Sequence, residues 1–208
     1  MVKDLVLVLD LDGTLISLPD QFEPWKVHLR PFLQEFLLFV FENFNCVGIW
    51  TAASRKWFDY VYRTKLCLAM PGKRCFDFVW TSERCTPKTI FLKHLNDLPF
   101  QVYLKKLKKL WVKNRFSTTK HNTLTIDDID HAYSKNKFNA IPVSSYNING
   151  PLHTEDIALL EGRQTLEDIV KAYHNQQNLF YQFIPCQNAL DILHQYRPIC
   201  SIRSLLSK

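Results

Sequence analysis

A chain of 208 residues, 47% hydrophobic and 13% aromatic, suffices for one ordinary buried core and is too apolar to remain disordered. No apolar run approaches the roughly 18 residues a membrane span needs, and the opening MVKDLVLVLD has too short an apolar stretch for a signal peptide and no small-residue cleavage site after it. The net charge of +6 leaves a polyanionic partner open without requiring one. The expectation is a soluble intracellular protein, nucleus or cytoplasm undetermined, without membrane association and of undetermined oligomeric state. Six cysteines occur without a C-x-x-C pair, and Cys46 and Cys67 sit in apolar runs. They read as buried or half-buried free thiols in a reducing compartment rather than a disulfide framework. The histidines lack zinc-site spacing.

Leu5 to Leu9 is a continuous Leu/Val run, the pattern of a strand covered on both faces in a parallel sheet. After a loop holding Pro19 and Pro24, RPFLQEFLLFVFENF predicts a largely buried helix with Pro31 in its first turn. NCVGIW predicts a second buried strand running into Thr51, and SRKWFDYVYRTKL a helix with Ser54 as its N-cap. MPGKRCFDFVWTSERCTPK changes character, with a Pro-Gly turn and alternating aromatics. It predicts an insertion over about residues 70–100 that carries one or two short strands and a helix near Lys88 to Asn96. VYLKKLKKLWVK returns to helical spacing, NTLTIDD is a third buried strand, NAIPVSSY a short fourth, and TLEDIVKAYHNQ a helix. An aromatic-rich extension follows from about residue 179. The charge run Lys105 to Arg115 reads as a solvated helix face or as a surface for a polyanionic or phosphorylated partner.

Alternating strands and helices argue for an α/β three-layer sandwich around a central parallel sheet, here one domain over residues 1–208 with a small insertion and no large cap. Ligand sites of such sheets lie beyond the carboxyl ends of the strands. Three predicted strands end in Asp10, Thr51 and Asp127. Were those ends to converge, Asp10, Asp12, Asp127 and Asp128 would crowd into a small volume and raise one another's pKa. A hard divalent cation such as Mg²⁺ resolves that repulsion; acids in separate surface turns are the alternative.

The stretch DLDGTL after a buried strand resembles the D-x-D-x-T motif of the haloacid dehalogenase superfamily of phosphohydrolases. VHLRPFLQEFL, IWTAASRKWFDYVY, VYLKKLKKL and LTIDDIDHAYSKNKFNAIPV are similar, in order, to motifs of its RNA polymerase II C-terminal-domain phosphatases and their small-phosphatase relatives (NLI-interacting-factor-like). The resemblance covers about residues 3 to 178. It implies a Mg²⁺-dependent phosphoserine/phosphothreonine phosphatase working through an aspartyl-phosphate, with Asp10 the nucleophile and Asp12 the general acid and base. Thr51 would bond a phosphoryl oxygen, Lys105 would supply fixed positive charge, and Thr14 would tie the nucleophile loop. Asp10, Asp127, Asp128 and the Asp12 carbonyl would hold the metal, and Arg84 would lie near the substrate cleft. Lys106, Lys108 and Lys109 compete with Lys105 on spacing alone, a surface ion pair competes for Arg84, and a plain helix cap for Thr51. Phe76, Phe78 and Trp80 are candidates for an apolar pocket beside the phosphoresidue or for packing within the insertion. Two departures stand out: Gly13 replaces the usual glutamate, and Ile129-Asp130 replaces Ser-Pro after the paired acids.

With roughly 40 residues between Asp10 and Thr51, a large lid has no room there, and an open cleft suits a peptide better than a small metabolite. A phosphatase of nucleic-acid 3′ ends or small phosphate esters is the alternative enzyme. A non-catalytic binding protein of the same fold is the third reading, weakened by the presence of both acids of the first motif.

Overall fold

The computed structural model describes residues 4–20, 22–23, 25–91, 99–113, 116–149 and 155–180. In chain order the elements are β1 (Val6–Leu9), α1 (Leu33–Asn43), β2 (Cys46–Trp50), α2 (Arg55–Val61), α3 (Cys67–Ala69), β3 (Phe78–Trp80), β4 (Thr86–Phe91), β5 (Pro99–Leu104), α4 (Lys108–Lys113), β6 (Thr123–Asp127), β7 (Ala140–Pro142) and α5 (Ala158–Phe180). Five strands form one parallel sheet in the order β3-β2-β1-β6-β7. The chain winds outward from β1 through β2 to β3, then returns to the other side for β6 and β7. The reversal falls between β1 and β6, so the crevice beyond their carboxyl ends is where a ligand fits.

Both faces of β1 are covered, which is why its four residues are all apolar and all buried. Leu7 and Leu9 point into the larger core with Phe36, Leu37 and Val40 of α1 and with Leu166 and Ile169 of α5. Val6 and Val8 point the other way, toward Trp50, Phe78, Leu107 and Leu110. Each such buried aliphatic contributes about 1.5–3 kcal/mol. Gly48 in β2 has a packing reason: a Cβ there would come within 2.2 Å of the Phe78 ring, which lies across the strand. Phe76 belongs to the larger core and Phe78 to the smaller one, where it stacks on Phe116 at 5.1 Å. Packing, not a pocket, accounts for those two.

Several local expectations need correction. Helix α1 starts at Leu33, so Pro31 lies ahead of it, separated by Phe32 in the left-handed region at φ 63°. Phe78–Trp80 joins the central sheet beside β2 rather than an insertion. The expected helix from Lys88 is strand β4 through Phe91, and residues 92–96 lie outside the described residues. It pairs antiparallel with β5, which carries Tyr103 where helical spacing was expected; the helix begins only at Lys108. Val102 and Leu104 are buried while Tyr103 is exposed, a period of two that the following lysines masked. Cys46 and Cys85 are buried free thiols, but Cys67 is exposed. The extension beyond residue 180 lies outside the described residues. Among the described residues no helix is long and apolar enough to cross a membrane.

Arg30, from the VHLRPF stretch, is 1% exposed and ties three segments together. Its Nε and Nη2 donate to the two carboxylate oxygens of Asp156 at 2.9 Å each. Nη1 donates to the carbonyls of Gly13 and Thr14 at 3.1 Å, and Nη2 to the Ser144 carbonyl at 2.8 Å. Asp156 also accepts from Ala158 N at the start of α5. Arg30→Ala takes from Asp156 its buried ion-pair partner and from three carbonyls the guanidinium donor, and is expected to lower unfolding free energy by about 3–5 kcal/mol. Urea unfolding followed by tryptophan fluorescence checks this; a loss below 1 kcal/mol would contradict it.

Candidate active site

The loop after β1 continues the sheet for one residue, since Asp10 N donates to the Ile126 carbonyl at 3.0 Å. It then turns tightly: the Leu11 carbonyl accepts from Leu15 N at 2.9 Å and Ile16 N at 3.1 Å, and Gly13 adopts φ 80°. Glycine is required at 13 twice over. Its φ disfavours other residues, and a Cβ would fall 2.4 Å from Asp128 Oδ2 and 2.9 Å from Ser145 Oγ. The departure from glutamate at this position is therefore matched by the close approach of the Asp128 loop.

Asp10, Lys105, Asp127 and Asp128 are all buried, and one carboxylate oxygen from each acid lies within 4.8 Å of the others. The Lys105 ammonium contacts Asp10 Oδ1 and donates to Asp127 Oδ2 at 2.8 Å. The other oxygen of Asp127 accepts from Ile129 N at 3.0 Å. Thr14 Oγ1 lies 3.3 Å from both Asp10 Oδ2 and Asp128 Oδ1, and Ser145 Oγ donates to Asp128 Oδ2 at 2.5 Å. The backbone of Lys105 is clamped: its N donates to the Ala132 carbonyl at 2.7 Å and its carbonyl accepts from Asn136 Nδ2 at 2.6 Å. Lys105 is thus the lysine that enters the carboxylate cluster.

Burial pushes the Asp127 and Asp128 carboxyls above the usual carboxylate range, Lys105 opposing in both. Burial also works against the Lys105 ammonium, but Asp10 and Asp127 outweigh it and hold the lysine protonated. Three carboxylates face one ammonium, so full ionisation of the cluster would leave an excess of two negative charges. A hard, all-oxygen donor set with that excess fits a divalent cation.

Asp12 faces a different environment. Its Oδ1 accepts from Trp57 Nε1 at 2.7 Å, and its Oδ2 accepts from Thr51 Oγ1 at 3.3 Å. Burial pushes its carboxyl up to about 6, against the Trp57 N–H and with help from the Asp10 charge. Thr51, at the end of β2, also accepts from Ala53 N through its hydroxyl at 2.9 Å. The side chains of Trp80 and Arg84 meet each other instead, the guanidinium 5.7 Å from the ring centroid with Lys113 Nζ 5.9 Å from the same ring. Trp80 still touches the site through its backbone, whose carbonyl accepts from Thr51 N at 2.9 Å. So Asp10, Asp12, Thr14, Thr51, Lys105, Asp127 and Asp128 come together, while Arg84 and Trp80 pair beside them.

A family profile described as NLI interacting factor-like phosphatase matches residues 5–177. The chain belongs to that family. This is the branch its motifs resemble, and the central parallel sheet is the α/β haloacid-dehalogenase-like architecture expected of it. An NLI interacting factor-like chain of this kind is 27% identical over 166 residues to ubiquitin-like domain-containing CTD phosphatase 1 of Danio rerio, covering 80% of this chain and 50% of that protein. It is 26% identical to a CTD phosphatase-like protein of Invertebrate iridescent virus 3, covering 79% of this chain and 96% of the viral one. Among solved structures, an uncharacterized protein from Listeria monocytogenes serotype 4b shares the fold at a TM-score of 0.50 and 15% identity, over 81% of this chain and 99% of that one. The chain spans half the length of the vertebrate relatives it matches.

Sequence reasoning missed four residues of this NLI interacting factor-like site: Arg30, Trp57, Asn136 and Ser145. Arg30, Trp57 and Asn136 stand inside stretches that carry the resemblance and Ser145 two residues beyond the last of them, but each acts through hydrogen bonds to partners that only the fold brings near.

Proposed function

We propose that the chain is a Mg²⁺-dependent phosphatase that removes phosphate from phosphoserine or phosphothreonine in an exposed protein segment, through a phosphoryl group carried on Asp10. The observation that carries this reading is the buried Asp10 carboxylate at the switch point of the sheet, held by Lys105 and overlooked by Asp12. In the first half-reaction an Asp10 oxygen forms a bond to phosphorus and the ester P–O bond breaks. Asp12 gives its proton to the leaving oxygen, then takes one from the water that hydrolyses the aspartyl-phosphate. The Thr51 hydroxyl bonds a phosphoryl oxygen, and Lys105 offsets charge on Asp10 and the phosphoryl group. Asp10, Asp127, Asp128 and the Asp12 carbonyl would hold the ion, which when bound neutralises phosphoryl oxygens. The chain is read as one phosphatase domain whose insertion is the antiparallel β4–β5 pair, with an open cleft that admits a protein segment as part of the reading. Relatives named as CTD phosphatases support a phosphoprotein substrate.

The deciding experiment supplies the purified chain and Mg²⁺ with phosphopeptides, sugar phosphates and 3′-phosphorylated oligonucleotides at equal concentration. Phosphopeptides are expected to show the highest kcat/KM. Preference for the oligonucleotide, weakening sharply with salt, would replace the proposed substrate.

The cation should also stabilise the fold in a pH-dependent way. Asp12 and the paired acids have raised folded pKa values, so in metal-free protein their contribution is fully present below about pH 4 and is lost as pH rises, for Asp12 through about 6 and for Asp127 through about 7. A cation replaces the missing protons. Mg²⁺ is therefore expected to raise Tm, relative to EDTA, by several degrees more at pH 7.5 than at pH 5.5. Equal shifts at both pH values in differential scanning fluorimetry would contradict a carboxylate site.

A further inference from the structure

We propose that Trp57 is a positioning residue for the leaving-group proton: its indole N–H reserves one oxygen of Asp12 as an acceptor, so that the other, Oδ2, is the oxygen that carries and delivers the proton. The inference rests on the reading of Asp12 as the acid in the first half-reaction.

An indole N–H donates and never accepts. At 2.7 Å from Asp12 Oδ1 it is best satisfied while that oxygen bears no proton, since a carboxyl's carbonyl oxygen accepts more strongly than its hydroxyl oxygen. Oδ2 has a different neighbour, the Thr51 hydroxyl at 3.3 Å, which donates or accepts as required. A protonated Asp12 therefore holds its proton on Oδ2, on the side where the resemblance places Thr51 against the phosphoryl group. Without Trp57 the proton distributes over both oxygens and the carboxyl plane is free to rotate.

Trp57 is itself held through its backbone and its ring. The Trp57 amide N donates to the Ser54 hydroxyl at 3.2 Å in the N-cap of α2. The ring stacks on Tyr60, with centroids 5.8 Å apart and planes at 28°. The Tyr60 hydroxyl in turn donates to the Trp25 carbonyl at 3.0 Å, tying this helix to the loop between β1 and α1. A tryptophan needed only for packing has no reason to aim its single donor at an acid of the site that Lys105 does not touch.

Bond changes set the test. When the Asp10–phosphorus bond forms and the ester P–O bond breaks, an alkyl leaving oxygen needs the Asp12 proton, whereas a nitrophenolate leaves without one. Trp57→Phe keeps the stacked ring and removes the donor. It is expected to lower kcat about 10- to 100-fold on a phosphoserine peptide while changing kcat on p-nitrophenyl phosphate less than about threefold, with KM for the peptide unchanged. Incorporating the benzothienyl isostere of tryptophan at position 57, in which sulfur replaces N–H, should reproduce this difference with no change in shape. Equal losses on both esters, no loss on either, or a change confined to KM would overturn the role of Trp57, provided turnover by the unaltered protein disappears in Asp10→Asn. Turnover of the unaltered protein that survives Asp10→Asn would overturn the phosphatase mechanism itself, and this inference with it.

Discussion

Asp10→Asn is expected to lower turnover of an aryl phosphate at least about 1,000-fold while leaving the metal-free protein as stable as before, or more so. Asparagine keeps the shape of the side chain, and its amide oxygen still accepts from the Lys105 ammonium. It cannot attack phosphorus to give a stable acyl phosphate. The stability side follows from the crowding: three buried carboxylates share one lysine, and removing one negative charge from such a set relieves repulsion. Asp127 still pairs with Lys105 at 2.8 Å, so the lysine is not orphaned. Steady-state kinetics with Mg²⁺ and urea unfolding in EDTA read the two effects separately. Full turnover by Asp10→Asn would remove the nucleophile from Asp10, and a stability loss of several kcal/mol would mean that Asp10 is a structural acid.

Most of the candidate site was legible because it sits where strands end. The Leu/Val run before Asp10, the run before Thr51 and the run before Asp127 each mark a strand buried on both faces, and parallel pairing of β1 with β2 and β6 brings their ends together. What periodicity could not resolve was the approach to Lys105. Leu104, Leu107 and Leu110 fall at helical intervals, yet Val102 and Leu104 belong to a strand and only Leu107 and Leu110 share the smaller core near α4. A short strand running into a short helix superposes two periods on one leucine-lysine stretch. Trp57 was invisible for another reason. Its spacing from Ser54 suits an ordinary helix face, and the donor it offers Asp12 is fixed by the way the start of α2 packs back over the loop after β1. Arg30 likewise reads as one more charge in the sequence; burial among carbonyls from distant segments makes it a clamp.

Lys105→Met is expected to cost about 3–5 kcal/mol of unfolding free energy in EDTA at neutral pH and to reduce turnover at least about 100-fold. Methionine fills the space of the lysine stem but leaves Asp10 and Asp127 facing each other in a site where Lys105 is only 5% exposed. Because the cost comes from unpaired buried anions, it should be relieved by neutralising one of them. The double variant Lys105→Met with Asp127→Asn is therefore expected to regain most of the lost stability. Turnover should not return with it, since the fixed charge beside the phosphoryl group is still missing. That separation assigns Lys105 two tasks, holding the acids together and offsetting charge during transfer. Recovery of both stability and turnover in the double variant would show that the lysine only keeps the site folded, and the charge for catalysis would then have to come from the cation alone.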